Sequence, residues 1–234
     1  TAVVGPTVKG PVNIPTVVRS YSEYVAVYGD SFKSGSDFYQ HSTSIAAEKY
    51  FEQGGTSLLV TRVAPSYAEF NSAQALIGSG SDGSVTTVLT LATISEGTIM
   101  NNSGSLLAQG ALATGSADNV RWEVTGINST NGTFDLVIRR GDDNIKNKII
   151  LETYNNLSLD PNSDNYIVKR IGDASYRVVG SDIVEDGDYP NQSSYVRVSS
   201  VATKQVDYLD NSGTAKTDYK SVWDGLALIL ASGY

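Results

Sequence analysis

The sequence predicts an α+β protein in which a small α/β unit precedes a β-rich domain with the architecture of a barrel or a sandwich. Two observations support this fold class. In residues 1–78, segments with helical spacing of apolar residues alternate with short β-branched segments. In residues 79–182, Ser, Thr, Gly and Asn are abundant and apolar residues alternate with polar ones. We expect residues 183–234 to add strands and a helix that return to the first unit, and to be truncated.

The α/β unit opens with two predicted strands and a capped helix. The first strand lies within Ala2–Pro11 and ends in glycine and proline residues, and the second comprises Thr16–Arg19. Ser20 and Glu23 have the spacing of a capping box, in which the serine oxygen accepts a first-turn N–H and the glutamate accepts the cap N–H. This helix is expected to end where Gly29 follows it.

A second helix and a third strand complete the unit. The polar segment Asp30–Gln40 is predicted to be a loop, and Ser42–Gln53 a helix that ends at the glycine pair after it. The helix has one apolar face, formed by Ala46, Ala47, Tyr50 and Phe51. Leu58–Val63 then has the composition of a buried strand.

The β-rich domain is predicted from several short alternating segments. Strands are expected at Val85–Leu91, Val120–Thr125, Thr133–Arg139 and Lys148–Glu152. Asn131 and Gly132 predict a tight hairpin turn, because both residues tolerate a positive φ. A second turn is predicted at Gly141–Asn144. Short strands at this spacing indicate a sandwich or a partly open barrel.

A short helix and three further elements follow. Asp160 and Pro161 predict a helix start, with the aspartate as cap and the proline at the first helical position. Gly172 is expected to end that helix. The last predicted elements are strands at Tyr176–Val179 and Ser194–Val198 and a helix at Tyr219–Leu230 with Val222, Leu226, Ile229 and Leu230 on one face.

Composition excludes several classes of function. The chain has 234 residues and a formal net charge of −8, so a nucleic-acid partner and an anionic membrane surface are both disfavoured. It contains no cysteine, which excludes disulfides, thiolate metal sites and thiol nucleophiles. No apolar run approaches the ~20 residues of a membrane span. Because the chain starts at Thr1 inside an apolar run and without Met, we expect upstream residues to be missing.

The sequence contains no set of residues that predicts catalysis. His41 is the single histidine, and no nucleophile elbow accompanies it, so we interpret it as an exposed or helix-flanking residue. Glycine-rich positions such as Gly54–Gly55 do not form a phosphate-binding motif. We therefore expect no enzyme activity, no catalytic residue and no cofactor.

Two groups of carboxylates have a composition that could suit a ligand site. The segment Asp160–Asp164 has the early spacing of a calcium loop but lacks its glycine and its closing glutamate. The cluster Glu185–Asp188 has no accompanying ligand pattern. Helix capping and loop solvation explain both groups, and we predict no metal site.

The opening of the chain resembles contractile phage tail sheath proteins. That family has a segment G-x-x-x-K-G-P-V-N-x-P, a Ser-Tyr/Phe-Ser-Asp/Glu-Tyr/Phe helix and a Y/F-G stop, then a helix ending in F-F-x-N/Q-G-G and a strand V-x-R-V. The corresponding residues here are Gly5–Pro15, Ser20–Tyr24, Tyr28–Gly29, Tyr50–Gly55 and Val60–Val63.

A second segment resembles the same family. Glu152–Tyr166 is similar to the outer-domain pattern E-x-F/Y-x-N-L-S-x-D-P-x-S-x-x-Y. The two matches occur in the family's order, with a β-rich insert between them. No motif of the family matches the residues after Gly180.

The resemblance implies a structural virion protein with a multidomain, tail-sheath-like fold. Sheath subunits form a helical array around the tail tube, and the array contracts to drive genome delivery through the host envelope. The implied partners are neighbouring sheath subunits, the tail tube protein, the baseplate and the tail terminator, and the implied location is the phage tail, assembled in the host cytoplasm. The resemblance also implies that the arms that join subunits lie before Thr1 and after Tyr234.

Two other functions remain open on the residues alone. The 14 tyrosines and two tryptophans suit a β-rich carbohydrate-binding or adhesin module, whose glycan binding would be lost on substitution of Trp122 or of a tyrosine. A hydrolase with a pair of carboxylates is the other alternative, although nothing in the sequence marks out a pair.

Overall fold

The computed structural model describes residues 1–34, 37–63, 72–79, 86–96, 100, 120–141, 143, 146–180 and 182–231. The fold is α+β and rich in strands, as predicted. The helices are α1 (Tyr21–Tyr28), α2 (Ser42–Glu52), α3 (Ile167–Ile171) and α4 (Thr217–Ala231). The strands are β1 (Ala2–Gly5), β2 (Thr16–Val18), β3 (Ser31–Ser34), β4 (Asp37–Gln40), β5 (Leu58–Arg62), β6 (Ser72–Ser79), β7 (Thr86–Glu96), β8 (Val120–Asn128), β9 (Thr133–Arg140), β10 (Ile150–Ser158), β11 (Ser175–Val179), β12 (Asp182–Asp186) and β13 (Val196–Val201).

The first unit contains a three-stranded sheet in the order β1-β5-β2. The central strand β5 is parallel to β1 and antiparallel to β2. Alternation along β5 buries Leu58, Val60 and Arg62, while Leu59 is exposed. A small apolar core packs against this sheet and consists of Val18, Tyr24, Tyr28, Ala47, Leu58 and Val60.

Helix α1 begins and ends where the sequence predicts. The Oγ of Ser20 accepts the N–H of Glu23 at 3.0 Å. The carboxylate of Glu23 accepts the N–H of Arg19 at 2.7 Å rather than that of Ser20, so the capping box is displaced by one residue. Gly29, with φ 74°, follows the last helical residue.

Two expectations for the segment after α1 are wrong. Residues 30–40, predicted to be a loop, contain the hairpin of β3 and β4, in which Phe32 lies opposite Tyr39 in the strand register. The polar composition of the segment concealed this strand pairing. On α2, Ala46 is exposed, and the buried face carries Thr43 and Ser44 beside Ala47.

Two three-stranded antiparallel sheets, β10-β9-β8 and β13-β7-β6, bury their inner faces in one larger core. Helix α3 contributes Ile167, Val168 and Ile171 to this core, as its apolar spacing predicts. Within the described residues these sheets do not close into a barrel. The predicted turn at Gly132 is formed, with φ 67° at Gly132, whereas Asn131 does not take a positive φ.

The sheet β13-β7-β6 draws on residues from all three predicted segments. β6, for which the sequence predicted no strand, pairs with β7 along one edge. β13, predicted in part as Ser194–Val198, pairs with the other edge of β7. The boundaries at residues 78 and 182 stay predictions, but this sheet ties the segments on either side of each boundary together.

The predicted start of α3 is wrong. The helix begins at Ile167 rather than at Pro161. The carboxylate of Asp160 instead accepts the N–H of Asn162 at 2.9 Å and that of Asp207 at 3.1 Å. An aspartate that caps its own turn competes with helix formation, which explains why the helix starts later.

Helix α4 contacts the larger core through Trp223, which was not among the residues of its predicted apolar face. Trp223 of α4 is 1% exposed, its ring lies 5.1 Å from that of Phe134, and its Nε1 donates to Gln205 at 2.8 Å. Val222 is half-buried, and at the predicted positions 226, 229 and 230 the structure describes the helical backbone only. In the described part of the chain, none of the helices has the length and apolarity needed to cross a bilayer.

Candidate functional site

The residues that carry the first resemblance converge in space. The N–H of Lys9 donates to the carbonyl of Tyr28 at 3.1 Å, which joins the segment after β1 to the end of α1. Arg62 donates from Nη1 to the carbonyl of Gly10 at 2.9 Å, and its own carbonyl accepts the N–H of Asn13 at 2.9 Å. Three segments that are distant in sequence therefore form one hydrogen-bonded junction.

Two glycines allow the close approach of these segments. Gly10 has φ 99°, and a Cβ there would lie 2.7 Å from the ring of Tyr28. Gly29 has φ 74°, and a Cβ there would lie 2.8 Å from the Cβ of Val8. Both positions combine a left-handed backbone with contact distances that exclude a side chain. Glycine is thus required at both positions of the junction.

Tyr28 connects this junction to the small core. Its ring is fully buried, and its hydroxyl donates to the carbonyl of Val60 at 3.2 Å. Burial raises the pKa of Tyr28 to about 12, so the hydroxyl stays protonated and remains a donor at neutral pH. The hydroxyls of Tyr24 and Ser44 share a second buried hydrogen bond of 3.1 Å, which accounts for a polar residue on the inner face of α2.

The second resembling segment also forms structural contacts. The carboxylate of Glu152 accepts the Oγ–H of Ser193 at 2.6 Å and the N–H of Ser194 at 2.9 Å, and so joins β10 to the residues before β13. Tyr154 donates to the same carboxylate at 3.0 Å. Burial, followed by the charge of Glu152, raises the pKa of Tyr154.

The acidic segments Asp160–Asp164 and Glu185–Asp188 contain carboxylates that accept backbone N–H groups or form exposed side-chain contacts. Both carboxylate oxygens of Asp160 accept backbone N–H groups. Asp186 pairs with Arg177, and Glu185 accepts the hydroxyl of Tyr176, across the hairpin of β11 and β12. Across the residues that the structure describes, no three His, Asp or Glu side chains are placed to hold a metal ion.

His41 and Trp122 are the two residues for which the sequence raised a catalytic or a sugar-binding role. His41 is the half-buried cap residue of α2 and makes no side-chain cap bond. Burial, followed by the charge of Arg62, lowers the pKa of His41. Trp122 is half-buried and packs against the larger core.

Sequence reasoning missed a buried ion cluster on the sheet β10-β9-β8. Arg139 donates two parallel bonds of 2.7 Å to the carboxylate of Asp143 and a third of 2.8 Å to Glu123. Lys148 donates to both oxygens of Glu123 at 2.7 Å. The side chain of Asp143 is fully buried. The only signal in the sequence is the number of charged residues in predicted strands, and it does not reveal which of them pair.

A cleft of about 430 Å³ separates the junction from the larger core. One wall is formed by the first resembling segment, including Gly10, Val12 and Ile14, and the other by residues around α3 and β13, including Asn191 and Arg197. Lys9 crosses near the cleft, with its Nζ 5.5 Å from the centre of the Tyr195 ring. The first resembling segment thus lines a cleft as well as forming the junction.

Comparison with known proteins does not identify the chain. No protein-family pattern matches it, and no curated protein resembles it at a significant level.

Proposed function

We propose that the chain is part of a contractile tail sheath subunit, a structural component of the phage virion. The observation that supports this proposal is the convergence of the first resembling segments into one junction, through Lys9, Tyr28, Gly10 and Arg62. A chance resemblance would match residues with no common role. Here the matched glycines, the tyrosine and the arginine depend on one another for their geometry.

The structural roles of the second segment support the same proposal. Glu152, Asp160 and Tyr166 are each used in packing or backbone capping, as expected of residues that define a fold rather than a catalytic centre. In the proposed subunit, the two sheets over the larger core form the outer domain, as a sandwich or a partly open barrel. The first unit belongs to the core through which subunits stack around the tail tube.

The proposed subunit binds copies of itself in a helical array, together with the tail tube protein, the baseplate and the tail terminator. Contraction of that array drives the tube through the host envelope. We propose no enzymatic step, no cofactor and no nucleic-acid or membrane partner for this chain.

Immunogold electron microscopy of the particles of origin tests the proposal. Antibodies raised against the 234-residue chain are expected to label the outside of the tail along its length. In contracted particles the label should follow the shortened, thickened sheath and leave the exposed tube bare. Pre-immune serum is the control. Labelling confined to tail fibres, to the capsid or to no particle would contradict the proposal.

A glycan array separates the sheath proposal from the carbohydrate-binding alternative. A sheath subunit is expected to bind no glycan above background. Binding that is lost on Trp122→Ala, in a variant that remains folded by circular dichroism, would favour the adhesin. Because Trp122 packs partly against the core, the stability of the Trp122→Ala variant must be measured together with its glycan binding.

A further inference from the structure

Arg197 lines the cleft without a hydrogen-bonded partner of opposite charge. It lies on β13, where it is half-buried and opposite Ala92 of β7. Among the described residues, its guanidinium forms neither an ion pair nor a hydrogen bond. Burial lowers the pKa of Arg197, which means that the charged form has lost hydration without an equal gain.

Several other arginines of the chain, unlike Arg197, lie beside carboxylates. Arg139 has a bidentate pair with the buried Asp143, Arg121 lies 3.6 Å from the same carboxylate, and Arg177 pairs with Asp186. A partly buried guanidinium that remains unpaired carries a desolvation cost that an incoming anion would offset. Arg197 is thus the arginine whose surroundings favour a ligand.

Two carboxylates of this region accept hydrogen bonds from other groups. Asp173 interacts with Arg197 electrostatically, but its Oδ1 accepts the N–H groups of Asp188 and Tyr189 at 2.9 and 2.8 Å. Glu152, beside the cleft wall, is held by the donors of Ser193, Ser194 and Tyr154. Turning either carboxylate toward Arg197 would break bonds that fix the chain around β13.

We propose that the cleft binds a carboxylate group, which Arg197 holds through two parallel N–H···O bonds. A planar guanidinium matches a carboxylate in this geometry, and the cleft volume of about 430 Å³ accommodates a carboxylate together with the short chain that carries it. Ser72, Ser175 and Ser194 line the same cleft, and serine hydroxyls can donate further hydrogen bonds to a carboxylate.

The charge around the cleft favours a carboxylate over a phosphate. A phosphate group carries up to two negative charges, whereas one guanidinium dominates this site and the charges of Asp173 and Glu152 lie near it. The net charge of −8 further disfavours a multiply charged anion. The carboxylate has two possible sources, an acidic side chain of a second copy of this chain or a free small carboxylic acid. The site does not depend on the sheath proposal, so failure of one leaves the other standing.

Titration with sodium acetate, a monocarboxylate, against sodium chloride at matched ionic strength, tests the site. Acetate is expected to shift the NMR signals of the Arg197 Nε–H and of residues lining the cleft. Arg197→Gln should weaken this binding about tenfold or more. Arg197→Lys should weaken it too, because lysine keeps the positive charge but lacks the planar pair of N–H donors that binds both oxygens of a carboxylate. Arg19→Gln, which removes one exposed arginine elsewhere, is the matched control and should bind as the wild type does.

Sedimentation velocity distinguishes the two sources. If a second copy supplies the carboxylate, association at high protein concentration is lost in Arg197→Gln and is suppressed by acetate. If the source is a free acid, acetate binds and the chain stays monomeric at all concentrations. Equal responses to acetate in the wild type, Arg197→Gln and Arg19→Gln would overturn the proposal, provided that circular dichroism shows all three to be folded.

Discussion

At the scale of single residues, Asp143 shows how a buried charge is stabilised by complete pairing. Its side chain is fully buried, and its two oxygens accept two bonds from Arg139 and one from the N–H of Ile149 at 2.9 Å. Both oxygens of this carboxylate are therefore satisfied. Removing the negative charge would leave the guanidinium of Arg139 only partly paired in a site with little water.

We predict that Asp143→Asn lowers the free energy of unfolding by about 3 kcal/mol, because it breaks a buried ion pair and leaves a charge behind. The matched control is Asp186→Asn, which removes an exposed carboxylate paired with Arg177 and should leave stability within error of the wild type. Urea unfolding followed by circular dichroism measures both. Equal effects of the two substitutions would contradict the role of burial.

The same cluster predicts how stability depends on acid. Burial alone would raise the pKa of Asp143, but hydrogen bonds from Arg139 and Ile149 outweigh it and the pKa is lowered. Against the same effect of burial, Lys148 and Arg139 lower the pKa of Glu123. As pH falls toward the ordinary carboxyl pKa of about 4, the unfolded chain therefore binds more protons than the folded one. Stability is expected to fall as pH drops below about 4, and less steeply in Asp143→Asn, as urea midpoints at several pH values will show.

His41 is the single histidine of the chain, and its position at the start of α2 does not by itself indicate a catalytic role. It caps α2 through its backbone and makes no side-chain cap bond. We predict that His41→Ala changes the free energy of unfolding by no more than about 0.5 kcal/mol and, on the proposed sheath function, leaves infectivity unchanged. A loss of infectivity in a variant that folds and assembles normally would show that this interpretation is wrong.

At the scale of elements, glycines with a positive φ serve different purposes. Gly172 follows α3 with φ 100°, and a Cβ there would lie 2.3 Å from the Cα of Asn191 and 2.6 Å from the carbonyl of Pro190. Gly180, after β11, also has a positive φ, of 65°, but nothing lies within 4 Å of its Cβ position. The two glycines therefore differ in how closely other atoms approach them.

This pair compares a crowded glycine with an uncrowded one, each at a positive φ. Gly180→Ala is expected to destabilise the protein by about 1 kcal/mol, because alanine resists a positive φ. Gly172→Ala should cost clearly more, about 3 kcal/mol, since the backbone at Asn191 must also move. Thermal unfolding measures both. If the two substitutions cost the same, the close contact at Gly172 is not a constraint.

At the scale of the whole molecule, the composition suits the proposed sheath subunit, whose bodies would meet through weak lateral contacts. The net charge is −8, and only 18% of the residues are charged. On that proposal, arms join neighbouring subunits, because a strand added to a neighbour's sheet can survive rotation of the bodies. Contacts below about 1,200 Å² commonly give only transient association.

We therefore expect the 234-residue chain, produced alone, to be soluble and predominantly monomeric. A longer chain that carries both arms should form tubes or sheath-like polymers under the same conditions. Sedimentation of the two proteins side by side, with negative-stain imaging of the pellets, is the measurement. Tubes formed by the short chain would show that the arms are not what holds the array together.

The sequence alone determined the features that depend on neighbouring residues. The cap at Ser20, the helix ends at Gly29 and Gly172 and the turn at Gly132 were predicted correctly. Each of them follows from a local φ preference or from a hydrogen bond between residues a few positions apart. The helical and strand periods likewise predicted most of the elements over the two cores.

The tertiary structure alone decided the long-range features. The local sequence pattern does not determine which strands pair with each other. The pairing of β6 and β13 with β7 and the hairpin at 31–40 were therefore not predicted. Nor does it say which polar side chains are buried, because burial of a charge depends on partners that folding brings together from distant positions. For that reason the pairing of Arg139 with Asp143, and the position of Arg197 in a cleft without a hydrogen-bonded partner, became visible only in the folded chain.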